Sequence, residues 1–367
     1  MTVILPDSVS LAHAPIPTND SEQLLFRQLF QTLVWLDCQG NVRPGAAVAW
    51  SPDSVRRVWA FTLRSSSLRS APSTEPASEI VSGWQHRPAD LRALGVESAT
   101  AEGEDLLSVR LGVPIEPVPR RFADPALALS RELDSSSIQL LDDGVLSRTP
   151  SGLVHYRIEP GADPRDLLDR GADLMVSRDP ALVEYANGKP AIVTFALPWS
   201  RTYVLLQPAG AEPVPASAAR DAVKGDVRRA EPPFWWEERG SECVRTVPSS
   251  VPASARVVYL RGDEAARGLA ERIVALAASD EGLRTAALGA SEFSSALAGG
   301  GERAYIIALP RQTLAPCRDS AGWPSGATLH PLIDTRAYAL VRRGAPSLAV
   351  EWDGTLRLHP ERPEDQQ

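Results

Sequence analysis

The 367-residue chain is long enough for two or three domain-sized units and a large core. Its 38 basic against 46 acidic residues, a net charge of -8 and a pI of about 5.3 argue against nucleic acid or an anionic membrane as partner. No run of 18 apolar residues occurs, so the chain is not expected to span a membrane. Only Lys189 and Lys224 are lysines and no Walker-type phosphate loop is present, which disfavours Schiff-base and P-loop chemistry.

Residues 2–5 (TVIL) read as a short buried strand. No basic or apolar leader pattern precedes them, so the chain is expected to be cytoplasmic or to have lost a secretion signal. Asn19, Asp20 and Ser21 form a cap cluster before an amphipathic pattern over 21–36, with Leu24, Leu25, Leu29 and Leu33 at helical spacing. The alternation of Trp59, Phe61 and Leu63 against Val58, Ala60 and Thr62 predicts a strand. Residues 65–78 read as a loop, and 78–84 as one or two helical turns. A strand follows with Leu107, Val109 and Leu111 on one face, then a short helix over 125–132. Val154, Tyr156 and Ile158 alternate with His155 and Arg157 in a further strand.

The stretch 163–206 has the densest punctuation. Asp163 with Pro164, and Asp179 with Pro180, are helix-start pairs, and Gly171 and the Asn187–Gly188 pair are stops. Each short helix leads into a strand, and a Pro-Trp-Ser-Arg corner at 198–201 separates the second strand from TYVLL. Ligand sites in α/β folds favour such strand ends. A helix is expected over 216–223. From Arg256 a βαβαβ run begins, its helices capped by Asp263 and Ser291 and the first burying Leu269, Ile273 and Leu276; it implies parallel strands. Strands at 334–341 and 347–350 follow, and Asp353–Gly354 is a hairpin turn.

Few residues point to chemistry. The five histidines are scattered, no HExxH, GxSxG, SxxK or HRD occurs, and no metal set or cofactor is expected. The glycines 299–301 join a helix to a strand, the wrong order for a phosphate loop, and read as a turn. Cys38, Cys243 and Cys317 are expected as three unlinked, mostly buried thiols, with a Cys243–Cys317 disulfide as the alternative. Asp163, Asp166, Asp169, Asp173 and Asp179 read as caps and surface charges. Nine tryptophans stand out in a chain only 6% aromatic. Trp199, Trp235, Trp236 and Trp323 lie beside prolines or in irregular segments, either covering the core or walling a cleft.

One resemblance covers most of the chain. Thr32, Leu33, Val34, Asp37, Gly40, Pro44, Ala46, Ala47 and Trp50, then Trp59, Phe61, Leu63 and Arg64, match the N-terminal signature of the family 5 extracellular solute-binding proteins. Residues 76–84 resemble the family's following helix. Leu168, Gly171 and Asp173 resemble its L-x-x-G-x-x-D element, and 202–223 its crossing between lobes. The region after Arg64 is shortened and the family's F-H-D-G-x-P motif is absent, so the chain resembles a divergent member with lobe II largely missing.

The resemblance implies an α/β, two-lobed periplasmic-binding-protein-like fold of type II with an interlobe hinge. Lobe I would comprise 1–205 and 325–367, and a lobe III-like α/β lobe 206–324. Hinges would fall near Tyr203–Gln207 and near 323–334. It implies a non-catalytic receptor of an ABC importer, a monomer outside the cytoplasm that holds a peptide-like or other small organic ligand in the cleft and delivers it to a permease. Trp199, Arg201, Tyr203, Trp235, Trp236, Asp319 and Trp323 are the implied ligand-binding residues. Arg201 would pair a carboxylate. Asp319 stands near the family's acidic anchor for a peptide amine, although a solvated loop aspartate is the stronger reading there. The alternative is a scaffold of the same fold that has lost its solute and contacts a protein partner.

Overall fold

The computed structural model describes residues 1–64, 76–114, 119–130, 138–149, 152–224, 254–277, 282–311 and 327–358. The chain divides into two compact units, one of Met1–Trp199 with Arg336–Gln367 and one of Ser200–Thr335. Two long strands, Ile192–Gln207 and Thr328–Arg342, carry the chain across those boundaries.

In the first unit the strand Thr2–Leu5 lies between Gly152–Ile158 and Leu174–Ser177 and is parallel to both. Outside Gly152–Ile158 a hairpin, Ile138–Leu141 with Gly144–Thr149, extends the sheet. On the other side residues 338–341 run antiparallel to Leu174–Ser177. The strand period of two sends Val3, Leu5, Leu174 and Ala339 to one face, with helix Asp20–Leu29 and the hairpin Leu348–Val350/Leu356–Leu358. It sends Ile4, Met175 and Leu340 to the other, under the helices Pro164–Asp169 and Pro180–Asn187. A sheet buried on both faces explains why its strands read as near-continuous apolar runs.

The same unit carries a four-stranded antiparallel sheet in the order Ala47–Pro52, Val58–Leu63, Leu106–Leu111, Val96–Ala101. Its inner face is Trp59, Phe61, Leu107, Val109 and Leu111, all with no exposed surface, as the alternation predicts. Phe122 closes it, with its ring centre 4.6 Å from that of Phe61. Where the chain enters this sheet, the carbonyl of Leu33 accepts the amides of Gly45 and Ala47, at 3.2 and 2.9 Å. A Cβ on Gly45 would lie 2.3 Å from the carbonyl oxygen of Thr32. Gly45→Ala should therefore cost about 2 kcal/mol through backbone displacement, visible as a lower denaturant midpoint. An unchanged midpoint would mean that this crossing yields freely.

In the second unit residues 201–206 pair antiparallel with 305–310, and Ser254–Leu260 is parallel to both Arg284–Leu288 and Glu302–Pro310. Helices Ala216–Lys224 and Glu264–Leu276 cover one face, and Ala290–Gly299 the other. The βαβαβ reading is thus observed.

The caps at Asn19, Asp163, Asp179 and Asp263 each accept a backbone amide of the following turn, at 2.8–3.0 Å. Five expectations change. The helix read over 21–36 stops at Leu29, because Phe30–Gln31 and Val34–Leu36 pair as strands with Leu129–Ser130 and Val42–Pro44. The helix read over 125–132 is one 3-10 turn, Pro125–Leu127. The Pro-Trp-Ser-Arg corner is absent: Ile192–Gln207 is one sixteen-residue strand. Pro198 precedes the 201–206 ladder, so its missing N–H breaks no bond there. Ser291 lies inside its helix, which starts after Gly289 with the Gly289 amide donated to Glu292. Leu276, at the end of its helix, is 44% exposed rather than buried.

Candidate functional site

Five of the candidate positions can be settled quickly as structure. Asp163 and Asp179 are helix caps, and Asp166 lies in the first turn of its helix, where a carboxylate suits the dipole. Asp173 accepts the amide of Thr2 at 2.7 Å and pairs with Arg342. Asp169 accepts from the Tyr185 hydroxyl at 2.7 Å and from Lys189 at 2.8 Å. Gly300, with φ +61°, makes the left-handed stop of its helix, so the triple-glycine stretch is a turn. Among the described residues no group of three or more His, Cys, Asp or Glu could hold a metal. Cys38 is a free thiol, exposed rather than buried, and Cys243 and Cys317 lie outside the described residues. So do Trp235, Trp236, Asp319 and Trp323.

Trp199, Arg201 and Tyr203 follow one another along Ile192–Gln207. Trp199 is half-buried at the edge of the first unit. Its ring centre lies 4.6 Å from the Arg336 guanidinium carbon, and the same carbon is 5.8 Å from the Tyr338 ring. All three residues belong to the first unit, and Arg336 is the residue at which the chain returns to it. A cation over an aromatic face is worth about 0.5–2 kcal/mol depending on desolvation, enough to fix the orientation of a half-buried arginine.

Tyr203 is different. It is 2% exposed, in the core between its strand and helix Glu264–Leu276. Its hydroxyl donates to Asp263, 2.9 and 3.1 Å from the two carboxylate oxygens. Burial first, and then the Asp263 charge, hold the phenol well above its usual pKa, against the opposing Arg201 charge. It is a permanent donor tying the strand to the helix start. Arg201, half-buried, hydrogen-bonds to that hydroxyl. Around it, Thr202 donates to Asp334 at 3.1 Å, both buried, and the Ser200 carbonyl accepts the Arg311 amide at 2.7 Å.

Arg336 and Tyr338 were not singled out from sequence. The period-two alternation of the predicted strand 334–341 does put them on one face. What sequence lacks is the neighbouring strand, and hence the Trp199 ring. Two recesses in the first unit, of about 450 Å³ beside Arg165, Tyr185 and Lys189 and about 320 Å³ beside Asp173 and Arg342, are lined by none of these three residues.

No family model matches the chain. A curated Haemophilus influenzae protein described as a binding protein is 29% identical over 150 residues, which is 39% of this chain and 26% of that one. The chain thus matches about a quarter of the length of that relative. Solved structures agree over nearly the whole length at low identity. A dipeptide-binding protein from Pseudoalteromonas sp. SM9913, in complex with Met-Leu, superposes with a TM-score of 0.70 at 11% identity, over 97% of this chain and 98% of that one. NikA from Brucella suis, in complex with Fe(III)-EDTA, gives 0.65 at 13% over 98% and 100%. The periplasmic binding protein DppA from Helicobacter pylori, with the peptide STSA, gives 0.64 at 11% over 98% of each.

Proposed function

We propose that this chain, whose fold is that of the peptide-, dipeptide- and nickel-binding components of ABC importers, is itself a solute receptor that reversibly binds a peptide-like or other small organic ligand without chemical conversion. The observation that carries the reading is the fold match. Near-complete coverage joins it to proteins solved with a dipeptide, a tetrapeptide and a chelate. The second support is local. Trp199 and Arg336 sit where the two long strands leave and re-enter the first unit, and they offer an aromatic and a guanidinium side by side. Of the residues nominated from sequence, Trp199 keeps its proposed ligand role. Tyr203 serves the core, and Arg201 is engaged beside it. A permease is the partner such a receptor would deliver to, outside the cytoplasm. No helix among the described residues is long and apolar enough to cross a membrane.

A thermal-denaturation screen with peptides, amino acids, sugars and metal chelates tests the reading. Any true ligand at 100 times its Kd should stabilise the protein by about 2.7 kcal/mol. A folded protein whose melting temperature responds to no member of the panel would sink the receptor reading and favour a protein-contacting scaffold.

A further inference from the structure

The recess of about 320 Å³ in the first unit lies at the amino ends of the parallel strands Thr2–Leu5, Gly152–Ile158 and Leu174–Ser177. Ligand sites in α/β folds favour the carboxyl ends, so this is not the expected solute position. Its walls differ in kind. Leu153, Val154 and Pro346 are apolar, and Arg342 and Arg343, where the strand Thr328–Arg342 ends, are cationic. The backbone of the arginine pair is fixed. Their amides donate to the carbonyls of Asp173 and Ala191, each at 2.8 Å, and the Ala345 amide closes the turn onto the Arg342 carbonyl at 3.1 Å. Both side chains are held at Nε, which donates to the Ala172 carbonyl at 3.2 Å for Arg342 and to the Pro190 carbonyl at 2.8 Å for Arg343. Among the described residues neither guanidinium has a hydrogen bond at its Nη atoms. The one carboxylate at the recess, Asp173, accepts the Thr2 amide at 2.7 Å and lies 3.5 Å from Arg342 Nε. The amino nitrogen of Met1 donates to the Leu153 carbonyl at 3.0 Å. Two guanidiniums against one carboxylate leave the recess positive, although the chain carries a net charge of -8.

We propose that Arg342 and Arg343 together hold a phosphate-type dianion, free or on a small organic body, at a site of its own within the first unit. A carboxylate presents two oxygens and is satisfied by one guanidinium fork. A phosphate presents three and suits two forks on adjacent residues. The apolar wall and the volume leave room for a short organic body beside the anion. The Nε bonds to backbone carbonyls pre-orient both guanidiniums, so less rotamer freedom is lost on binding. All residues lining the recess belong to the first unit, and the site does not depend on the receptor reading.

Calorimetric titration of the full chain at fixed ionic strength, at about pH 8 where a phosphomonoester is a dianion, tests the site. The probes are inorganic phosphate, phenyl phosphate and succinate. Phenyl phosphate should bind, and Arg342→Gln and Arg343→Gln should each weaken it about fivefold to tenfold, the size of one charge-assisted contact at a partly exposed position. The double variant should show no binding. Arg343→Lys should recover only part of the loss, because an ammonium lacks the fork. Arg165→Gln, at the other recess of the first unit, should bind like wild type. Circular dichroism and the melting temperature confirm that each variant is folded. Arg343 is exposed and makes no ion pair among the described residues, so it carries the test if Arg342→Gln fails to fold. Inorganic phosphate bound as tightly as the ester identifies the free ion as the ligand, and a tighter ester identifies an organic phosphate. Succinate bound as tightly as phosphate, with the same arginine dependence, would overturn the phosphate assignment. Phosphate binding that both substitutions leave unchanged, or no binding to folded wild type at about 10 mM of either phosphate, would overturn the site.

Discussion

Glu351→Ala should destabilise the first unit by about 3–5 kcal/mol, the usual cost of stripping one partner from a buried ionic cluster. Glu351 is 1% exposed and lies between two guanidiniums. One of its carboxylate oxygens is 3.1 Å from Arg27 and the other contacts Arg357. Asp353 reaches Arg27 as well, at 3.3 Å, and Arg357 stacks over Trp35. Burial works against both cations. For Arg27 the charges of Glu351, Asp353 and Asp124 outweigh it and hold the guanidinium above its usual pKa. For Arg357 burial wins even with Glu351 in place. Removing Glu351 therefore leaves Arg357 the worse placed of the two. The cluster joins elements far apart in sequence. Helix Asp20–Leu29 supplies Arg27, and the hairpin at 348–358 supplies the rest. Gln28 adds bonds to Leu356 and Leu358 of that hairpin. Denaturant titration of the variant should show the lowered midpoint. A companion variant that replaces the whole cluster, Arg27→Met with Glu351→Leu, Asp353→Asn and Arg357→Met, should recover much of the loss, because it leaves no buried charge unpaired. A single variant within 1 kcal/mol of wild type would mean that water reaches the guanidiniums.

Local grammar was legible in this chain wherever one residue decides one event. Asp163, Asp179 and Asp263 cap helices as their position before Pro or an apolar run suggests, and Trp59, Phe61, Leu107 and Val109 face inward as alternation requires. The parallel βαβαβ order of the second unit followed from helix and strand alternation alone. Illegible were features set by distant partners. Helix Asp20–Leu29 ends because Phe30–Gln31 finds Leu129–Ser130, a hundred positions away along the chain. The hairpin over 138–149 has weak local signals and takes its place from Gly152–Ile158. Pro198 reads locally as a break, yet the strand continues through it because the antiparallel ladder to 305–310 begins only at Arg201. The site behaved the same way. Trp199 was visible as an aromatic beside proline, but its stacking partner Arg336 lies more than a hundred residues on, and only the pairing of two strands brings them together. Tyr203 was implied as a ligand contact by the resemblance, at the expected hinge; its side chain is instead buried against helix Glu264–Leu276, a partner some sixty residues further along the chain.

Glu22 should make the protein acid-sensitive. Glu22→Ala should cost roughly 3 kcal/mol near neutral pH, given about 1–3 kcal/mol for each buried donor left unsatisfied. The carboxylate, 1% exposed at the start of helix Asp20–Leu29, collects the segment that leads into the helix. It accepts the Ser10 amide at 2.9 Å, the Thr18 amide at 2.8 Å and the Thr18 hydroxyl at 2.7 Å, with His13 Nδ1 2.7 Å away. Burial by itself would raise the pKa of this group. The amides of Ser10 and Thr18, the Thr18 hydroxyl and His13 outweigh it, and the pKa lies below its usual 4.5. The direction sets the sign of the pH effect. A carboxylate whose folded pKa is depressed contributes stability that is fully present above the unfolded value and is lost as pH falls through the folded one. The contribution of Glu22 should therefore be constant from neutral pH down to about 5 and shrink below 4.5. Glu22→Gln keeps the shape but not the charge, so its deficit relative to wild type should narrow over that acidic window. Paired urea titrations of wild type and Glu22→Gln at pH 7 and at stepwise lower pH measure this difference free of the other carboxylates, which titrate alike in both. A gap that stays constant or widens on acidification would show that the amides do not favour the ionised form.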